Sequence, residues 1–305
     1  MVDPLSDVIA LLRPRTVFSK IISGAGRWGV RYSEFGQPSF CIVLDGRCRL
    51  AVDGQEALTL EAGDFVLLPT TPGFTISGFE PVRPTFIDPK TAPAPADEVR
   101  HGSPGGAPDV RLLGGYFRCD SPDAGLLVSL LPTLVHVRGV EQLPTLVRMV
   151  CEEANEQRSG RDLILSRLVE VLLVQALRTM QADDAHAGLL RGLNDERLAI
   201  AIRGMHGDPA RAWTAAQLAR TAALSRSAFF DRFLRAVGIS PMEYLLAWRM
   251  TIAKDLLRTR KIALDEVARR VGYGSPSTFS TAFSRHVGRP PGQYAKTTPG
   301  PGAVS

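Results

Sequence analysis

From residue 16 to about residue 80 the apolar positions come in short runs, Phe40–Leu44, Cys48–Val52 and Phe65–Leu68 among them. The dipeptides Asp45-Gly46, Asp53-Gly54 and Gly63-Asp64 separate these runs. Runs of this length between turn residues predict strands, and their close spacing predicts a small β-sandwich or barrel. Asp45-Gly46 lies between two such runs, which is a strong signal for a two-residue hairpin. Residues 81–109 hold seven prolines among Gly, Ser and Ala with no period, and are expected to form a long loop. Leu112–Phe117 has the pattern of a returning strand.

Beyond residue 120 the spacing of apolar residues changes to three and four, and helices are expected over Leu126–Leu131, Leu143–Gln157 and Leu163–Met180. In the third, Val169, Leu172, Leu173 and Ala176 form an apolar stripe. It serves either a dimer contact or packing on the strands before it, and the pattern leaves both open. Arg158, Arg161 and Arg167 have the spacing of a solvated face. Helical patterning resumes at Asp195 and runs to about Ala295, and the tail TTPGPGAVS has the composition of a disordered segment. The expected division is 1–135 for the strand-rich part, 136–194 for a helical linker, 195–297 for an all-α domain and 298–305 for the tail.

The all-α part contains a repeat. QLARTAALSRSAFFDRFLRAVGISP (217–241) matches EVARRVGYGSPSTFSTAFSRHVGRPP (266–291). Leu218-Ala219-Arg220 corresponds to Val267-Ala268-Arg269 at an offset of 49. After the break, Ser225, Phe229, Phe233, Val237-Gly238 and Pro241 correspond to Ser275, Phe279, Phe283, Val287-Gly288 and Pro291 at an offset of 50. Each copy is a short helix, a tight turn and a second helix, with small residues where the two approach: a helix-turn-helix. Ser225 and Ser275 stand where an N-cap is needed. Pro241 suits the first turn of the helix between the copies. That helix, with Leu245, Ile252 and Leu256 facing the core, would set two reading heads about 34 Å apart in successive major grooves.

Charge supports a polyanionic partner for this part. Residues 195–305 carry 17 Lys and Arg against 8 Asp and Glu, a net of +9, while residues 1–194 carry −4. The N-terminus has an early acidic residue and no basic leader, and no long uncharged apolar stretch occurs, so a cytoplasmic chain without a signal peptide is expected. The cysteines at 41, 48, 119 and 151 form no CxxC pair, and residues 16–80 contain no histidine. No cofactor and no metal centre are therefore expected, since zinc or iron needs three or four convergent ligands. Under an Asp45-Gly46 hairpin, Cys41 and Cys48 would be diagonal neighbours about 7 Å apart between Cα atoms. That leaves two readings: a redox-active pair, or two buried thiols acting as small hydrophobes.

Two stretches carry a resemblance. WTAAQLARTAALSRSAFFDRFLRAVGISPMEYLLAWRM and IALDEVARRVGYGSPSTFSTAFSRHVGRPPGQY resemble the DNA-binding domain of the AraC/XylS family of bacterial transcription regulators. Upstream, FCIVLDGRCRLAVDG, LEAGDFVLLP and LLVSLLPTLVHVRG resemble the cupin-type sensor domain of one branch of that family. The implied fold is α+β: an N-terminal cupin-like β-barrel or sandwich, a helical linker and a C-terminal all-α domain with two helix-turn-helix units. The implied function is regulation of transcription through sequence-specific binding of double-stranded DNA, under a small-molecule effector or an oxidant sensed by the barrel. RNA polymerase is an implied partner and a homodimer an implied state. Some cupin-type members of the family sense oxidants, which keeps the Cys41–Cys48 reading open.

By position in the family motif, Ser225, Arg226, Ser227, Phe230 and Asp231 face DNA in the first head, and Ser275, Ser277, Ser280 and Thr281 in the second. Arg226, Arg235, Arg249 and Arg285 are candidate backbone clamps, with a buried structural role for Arg249 as its alternative. Asp231 and Thr281 stand where many members have a guanine-reading arginine. Aspartate accepts from cytosine N4, so the base preference is expected to shift toward cytosine or thymine. The other reading of Asp231 is an ion pair with Arg235 four residues on. The rival function, a metal-free cupin-fold binder or enzyme with an accessory helical domain, predicts turnover and no preferred DNA sequence.

Overall fold

A computed structural model describes residues 2–12, 14–91, 98–119, 131–140, 142–156, 158–179, 188–259 and 262–297. The strands are β1 (Pro14–Ala25), β2 (Gly29–Tyr32), β3 (Ser39–Val52), β4 (Leu58–Glu61), β5 (Phe65–Leu68), β6 (Phe74–Ser77), β7 (Thr85–Ile87), β8 (Glu98–Gly102), β9 (Val110–Cys119) and β10 (Val135–Val137). The helices are α1 (Pro4–Leu12), α2 (Gln142–Asn155), α3 (Arg161–Arg178), α4 (Leu189–Asn194), α5 (Glu196–Gly207), α6 (Ala215–Thr221), α7 (Arg226–Val237), α8 (Pro241–Thr259), α9 (Leu264–Arg270), α10 (Pro276–Val287) and α11 (Pro291–Thr297). They form two compact units. The strands with α2 and α3 make one, and α1 with α4 to α11 makes the other. The span 1–135 expected for the strand-rich part thus includes a helix, α1, that packs with the C-terminal helices.

In the first unit the sheet runs β7-β2-β6-β3-β9-β1-β8, with β4 and β5 also on β3 and β10 on β5. The long β3 organises it. Ser39–Ile42 pairs with β5, Arg49–Val52 pairs with β6, and β9 runs beside the first half of the strand, from Ser39 to Gly46. The switch falls at Asp45-Gly46, where the register with β9 slips between Val43 and Asp45. The expected two-residue hairpin is therefore not formed. Gly46 has a φ of 74°, and a Cβ there would lie 1.9 Å from the Asp109 carbonyl oxygen. A left-handed glycine serves a bulge as readily as a hairpin turn, and pairing with β9 on both sides of the bulge decides between them. Cys41 consequently pairs with Val66 and Gly114, and Cys48 with Leu60. The hairpin geometry that would have made the two cysteines diagonal neighbours is absent.

Both thiols line the apolar interior with Ile22, Trp28, Val30, Tyr32, Val43, Leu112 and others. Burial raises the pKa of both, that of Cys48 to about 12; the neighbouring Cys48 adds to the effect at Cys41, and the Asp64 carboxylate adds to it at both. They stay protonated at neutral pH and are poor nucleophiles. Asp64 itself is buried but not bare. Burial alone would raise its pKa, but it is held below the ordinary value by Arg138, whose Nε and second guanidinium nitrogen reach its two oxygens at 3.0 and 2.9 Å, by the Glu61 N–H and by His136. This clasp ties β10 to the turn before β5.

The prolines of residues 81–109 do not exclude structure. β7 and β8 fall inside this expected loop and pair in parallel with β2 and β1 at the two ends of the sheet order. The stripe Val169, Leu172, Leu173 and Ala176 on α3 is buried, and α3 packs on β1 and α2, so in this unit the stripe packs on the sheet. The expected helix Leu126–Leu131 and the tail 298–305 lie outside the described residues.

The second unit has an apolar core with one polar column in it. The buried His206 ring of α5 stacks on Trp248 with centroids 4.0 Å apart. Its Nε2 is 2.7 Å from the Tyr244 hydroxyl and its Nδ1 is 3.1 Å from Asp7 of α1. Burial lowers the His206 pKa against the opposing pull of Asp7. No helix among the described residues is long and apolar enough to cross a membrane.

Candidate nucleic-acid interface

Each half of the repeat builds the same turn. In the first, α6 ends with Leu224 donating its N–H to the Ala219 carbonyl at 2.9 Å and Ala223 to that of Arg220 at 3.0 Å. In the second, α9 ends with Tyr273 donating to Ala268 at 2.9 Å and Gly272 to Arg269 at 3.1 Å. These are helix-ending bonds that need a left-handed residue, and Ala223 (φ 52°) and Gly272 (φ 81°) supply it. The offset of 49 therefore persists through the turn as far as Leu224 and Tyr273. The extra residue of the second copy is Gly274, set just before the cap.

The second helices then start alike. Ser225 Oγ accepts from the Ala228 N–H and Ser275 Oγ from that of Thr278, both at 3.2 Å. Each cap stabilises its helix by about 1 kcal/mol. Phe229 and Phe233 anchor α7, Phe279 and Phe283 anchor α10, and all four are buried. Tyr244 meets Phe233 edge-on and Tyr294 meets Phe283 edge-on, at centroid distances of 5.8 and 5.5 Å. Gly238 and Gly288, both left-handed, end the two helices. With the phenylalanines turned inward, the opposite face of each helix is presented outward over its first two turns.

Comparison with known proteins agrees with this geometry. A family model described as Cupin matches residues 3–182, and one described as a helix-turn-helix domain matches residues 218–297. An AraC-like transcription regulator of Streptomyces lividans is 38% identical over 96% of this chain and 98% of its own length. One of Streptomyces antibioticus is 36% identical over 96% and 98%. The chain belongs to the AraC-like transcription regulators. Among solved structures, the DNA-binding domain of AdpA in complex with a target DNA is 31% identical, covering 32% of this chain and 87% of that one with a TM-score of 0.31.

In this AraC-like regulator the two outward faces differ in chemistry. On α7, Arg226, Ser227, Phe230, Asp231 and Arg235 are exposed. Arg235 donates through Nε to the Asp231 carbonyl oxygen at 3.3 Å, so the expected Asp231–Arg235 ion pair is not made. The Asp231 carboxylate faces outward. On α10, Ser277, Thr281 and Arg285 are exposed and Ser280 is half-buried. Ser280 Oγ donates to the Pro276 carbonyl oxygen at 2.7 Å and Thr281 Oγ1 to that of Ser277 at 3.1 Å. Their hydrogens are thereby turned to their own helix, and what they offer outward is lone pairs and the threonine methyl.

Arg249 is not part of either face. Its Nε and a terminal nitrogen each lie 2.7 Å from the carbonyl oxygens of Pro209 and Arg211, and burial lowers its pKa. It pins the segment between α5 and α6, which is the structural alternative weighed for it. Further arginines escaped the sequence reading. Arg269 and Arg270 are both held by Glu266, at 2.6 Å in each case. In the first head the residue corresponding to Glu266 is Gln217, which instead completes a capping box with Thr214. Arg220, the counterpart of Arg269, is exposed and has no carboxylate partner among the described residues. Arg232 is paired with Asp195 at the start of α5. The repeat offset of 49 was the available signal, since it sets Gln217 against Glu266. Among the described residues no three His, Cys, Asp or Glu side chains gather to hold a metal ion.

Proposed function

We propose that this regulator binds an asymmetric double-stranded DNA site in the bacterial cytoplasm through both heads, and that the barrel couples a small-molecule or oxidant signal to that binding. The observation that carries the DNA reading is the pair of matched turns, each launching an outward helix from a serine cap. Arg220, Arg226, Arg235 and Arg285 are the phosphate contacts in this reading, joined by the N-terminal ends of α7 and α10 at Ser225 and Ser275. Ser227, Phe230 and Asp231 read bases under the first head, with Asp231 accepting from cytosine N4. Ser277, Ser280 and Thr281 read under the second, where hydroxyl lone pairs accept from amino groups and the Thr281 methyl meets thymine.

A homodimer belongs to the same reading, with Leu163, Ile164 and Val171 as its contact. These are exposed on one face of α3, at 64%, 44% and 45% of their accessible surface. Effector binding then alters either the dimer geometry or the freedom of the DNA-binding unit, and with it operator affinity or recruitment of RNA polymerase. No catalytic step is part of the proposal. Footprinting of the full chain on DNA upstream of its own and neighbouring genes, at several salt concentrations, tests it. A protected asymmetric site whose affinity falls steeply with salt is the expected result. Binding to every sequence no better than to bulk DNA would defeat it.

A further inference from the structure

The interior of the barrel contains polar groups that have no hydrogen-bond partner among the described residues. Lys20 lies on the same face of β1 as Ile22, a member of the apolar interior. Its Nζ is 5.9 Å from the centroid of the Tyr32 ring, and no hydrogen bond or ion pair reaches it among the described residues. Burial lowers its pKa, and no carboxylate opposes that shift. The Tyr32 hydroxyl is itself buried and unpartnered, as is Nε2 of His101. His101 stands opposite Gly24 on the neighbouring β8, on the same face as Lys20 and Ile22. Its charge is coupled to that of Lys20, which together with burial lowers its pKa. Three groups able to donate hydrogen bonds thus face one interior, and none has an acceptor among the described residues.

The surroundings are apolar and partly aromatic. Tyr32 stacks on Phe74 at 4.9 Å, and Trp28 lies over Gly24 with its ring stacked on His101 at 6.2 Å. Gly114 on β9 leaves bare backbone between Ile22 and Cys41, where a Cβ would come within 3.4 and 3.8 Å of those side chains. The one buried carboxylate of this region, Asp64, is already matched by Arg138 and His136. The buried Tyr32 hydroxyl and His101 Nε2 are costly without partners, and an anion bound beside the half-buried Lys20 would satisfy them together. A single cation among apolar walls fits one negative charge. A dianion would leave its second charge unpaired among these apolar walls.

We propose that the barrel binds a small monocarboxylate with an apolar body, its carboxylate held by Lys20 Nζ and the Tyr32 hydroxyl with His101 Nε2 as a third contact. The proposal rests on the reading of the barrel as the sensor, and names the chemical class of its effector. Titration calorimetry of the full chain with benzoate, phenylacetate and hexanoate, each beside its own neutral amide, tests it. At least one carboxylate is expected to bind tenfold or more tightly than its amide. Lys20→Met should abolish that preference, Lys20→Arg should retain it, and Tyr32→Phe should weaken carboxylate binding several-fold, with circular dichroism verifying that each variant is folded. If none of the three carboxylates outbinds its amide, or if folded K20M keeps the preference, the proposal is overturned. Operator affinity measured alongside separates the two readings. Carboxylate binding without any change in operator affinity defeats the sensor reading and leaves the site. A response to the amides equal to that of the acids defeats the site and leaves the sensor.

Discussion

The two reading heads share a frame and differ on the surface that meets the nucleic acid. Both end their first helix with the same pair of backbone bonds, cap the second with serine and bury two phenylalanines beneath it. On top of this frame the first head displays Arg220, Arg226, Asp231 and Arg235. The second displays short hydroxyl side chains and Arg285, and pairs both Arg269 and Arg270 with the one carboxylate of Glu266. Duplication preserved what folding requires, because a core position tolerates little change in volume. Exposed positions carry no such constraint, so the heads were free to diverge in charge. Under the proposed DNA reading, the first head would offer more unpaired arginines to phosphate and the second more hydroxyl and methyl contacts to base edges.

The largest effect tests the shared frame. Phe229→Ala and Phe279→Ala each remove a fully buried ring and are expected to destabilise the C-terminal unit by about 3–5 kcal/mol. Urea denaturation followed by circular dichroism should give similar losses for the two, and a large disparity would break the equivalence of the cores. Divergent surfaces come next. Asp231→Arg and Thr281→Arg should each create a preference for guanine under its own head, with about 1–3 kcal/mol of discrimination. Selection from a randomised duplex reads this out, and a shift under the wrong head would undo the assignment of faces.

The turns offer a paired test of intermediate size. Gly272→Ala places a Cβ in a left-handed conformation 2.6 Å from the Ala210 carbonyl oxygen and should cost at least about 1–2 kcal/mol. Ala223→Gly relieves the same conformational strain in the first head and should be neutral or slightly stabilising. Thermal melts of the two variants check the opposite signs. Among the charges, Arg226→Ala should weaken binding to all sequences alike and reduce the salt slope by about 1. Arg269→Ala should change it less, and Glu266→Gln should steepen it by releasing two arginines.

The smallest effect concerns pH and lies at His206, in contact with Tyr244 and Trp248. Burial keeps His206 below its ordinary pKa of 6.5, so the unfolded chain takes up a proton there more readily than the folded one. Stability should be full above about pH 6.5 and decline as the pH falls below it toward the folded value. Denaturation midpoints of wild type and His206→Gln between pH 5 and 7.5 test this. A decline of equal size in the variant would remove His206 as its source.

Much of this was legible in the chain. The repeat, its turns, both serine caps and the four phenylalanines follow from local periodicity and from residue types with one dominant use. The fate of Asp45-Gly46 was not legible, since the dipeptide states only that a left-handed glycine is needed. Whether that glycine ends a strand or bends one depends on β9, more than sixty residues away in sequence. β7 and β8 escaped for a related reason: short edge strands tolerate proline and carry little periodicity. Arg235 and Asp231 have ion-pair spacing, yet the guanidinium took a backbone carbonyl instead.

Sequence alone determined the order of strand-rich and helical parts, the duplicated helix-turn-helix, the excess of positive charge in its half and the residues that the two outward faces carry. Each depends on spacing within about a dozen residues or on composition, which the linear order contains. The tertiary structure alone decided that α1 joins the C-terminal helices through Asp7 and His206, that Arg249 pins a loop, and that Glu266 silences two arginines of the second head. It also decided that Lys20, Tyr32 and His101 share one interior with no hydrogen-bond partner among the described residues. These facts arise where distant segments meet, and the burial and competition for partners that govern them exist only once the chain is folded. The serine caps could be read from the chain; which arginines of the two heads are paired with a carboxylate could not.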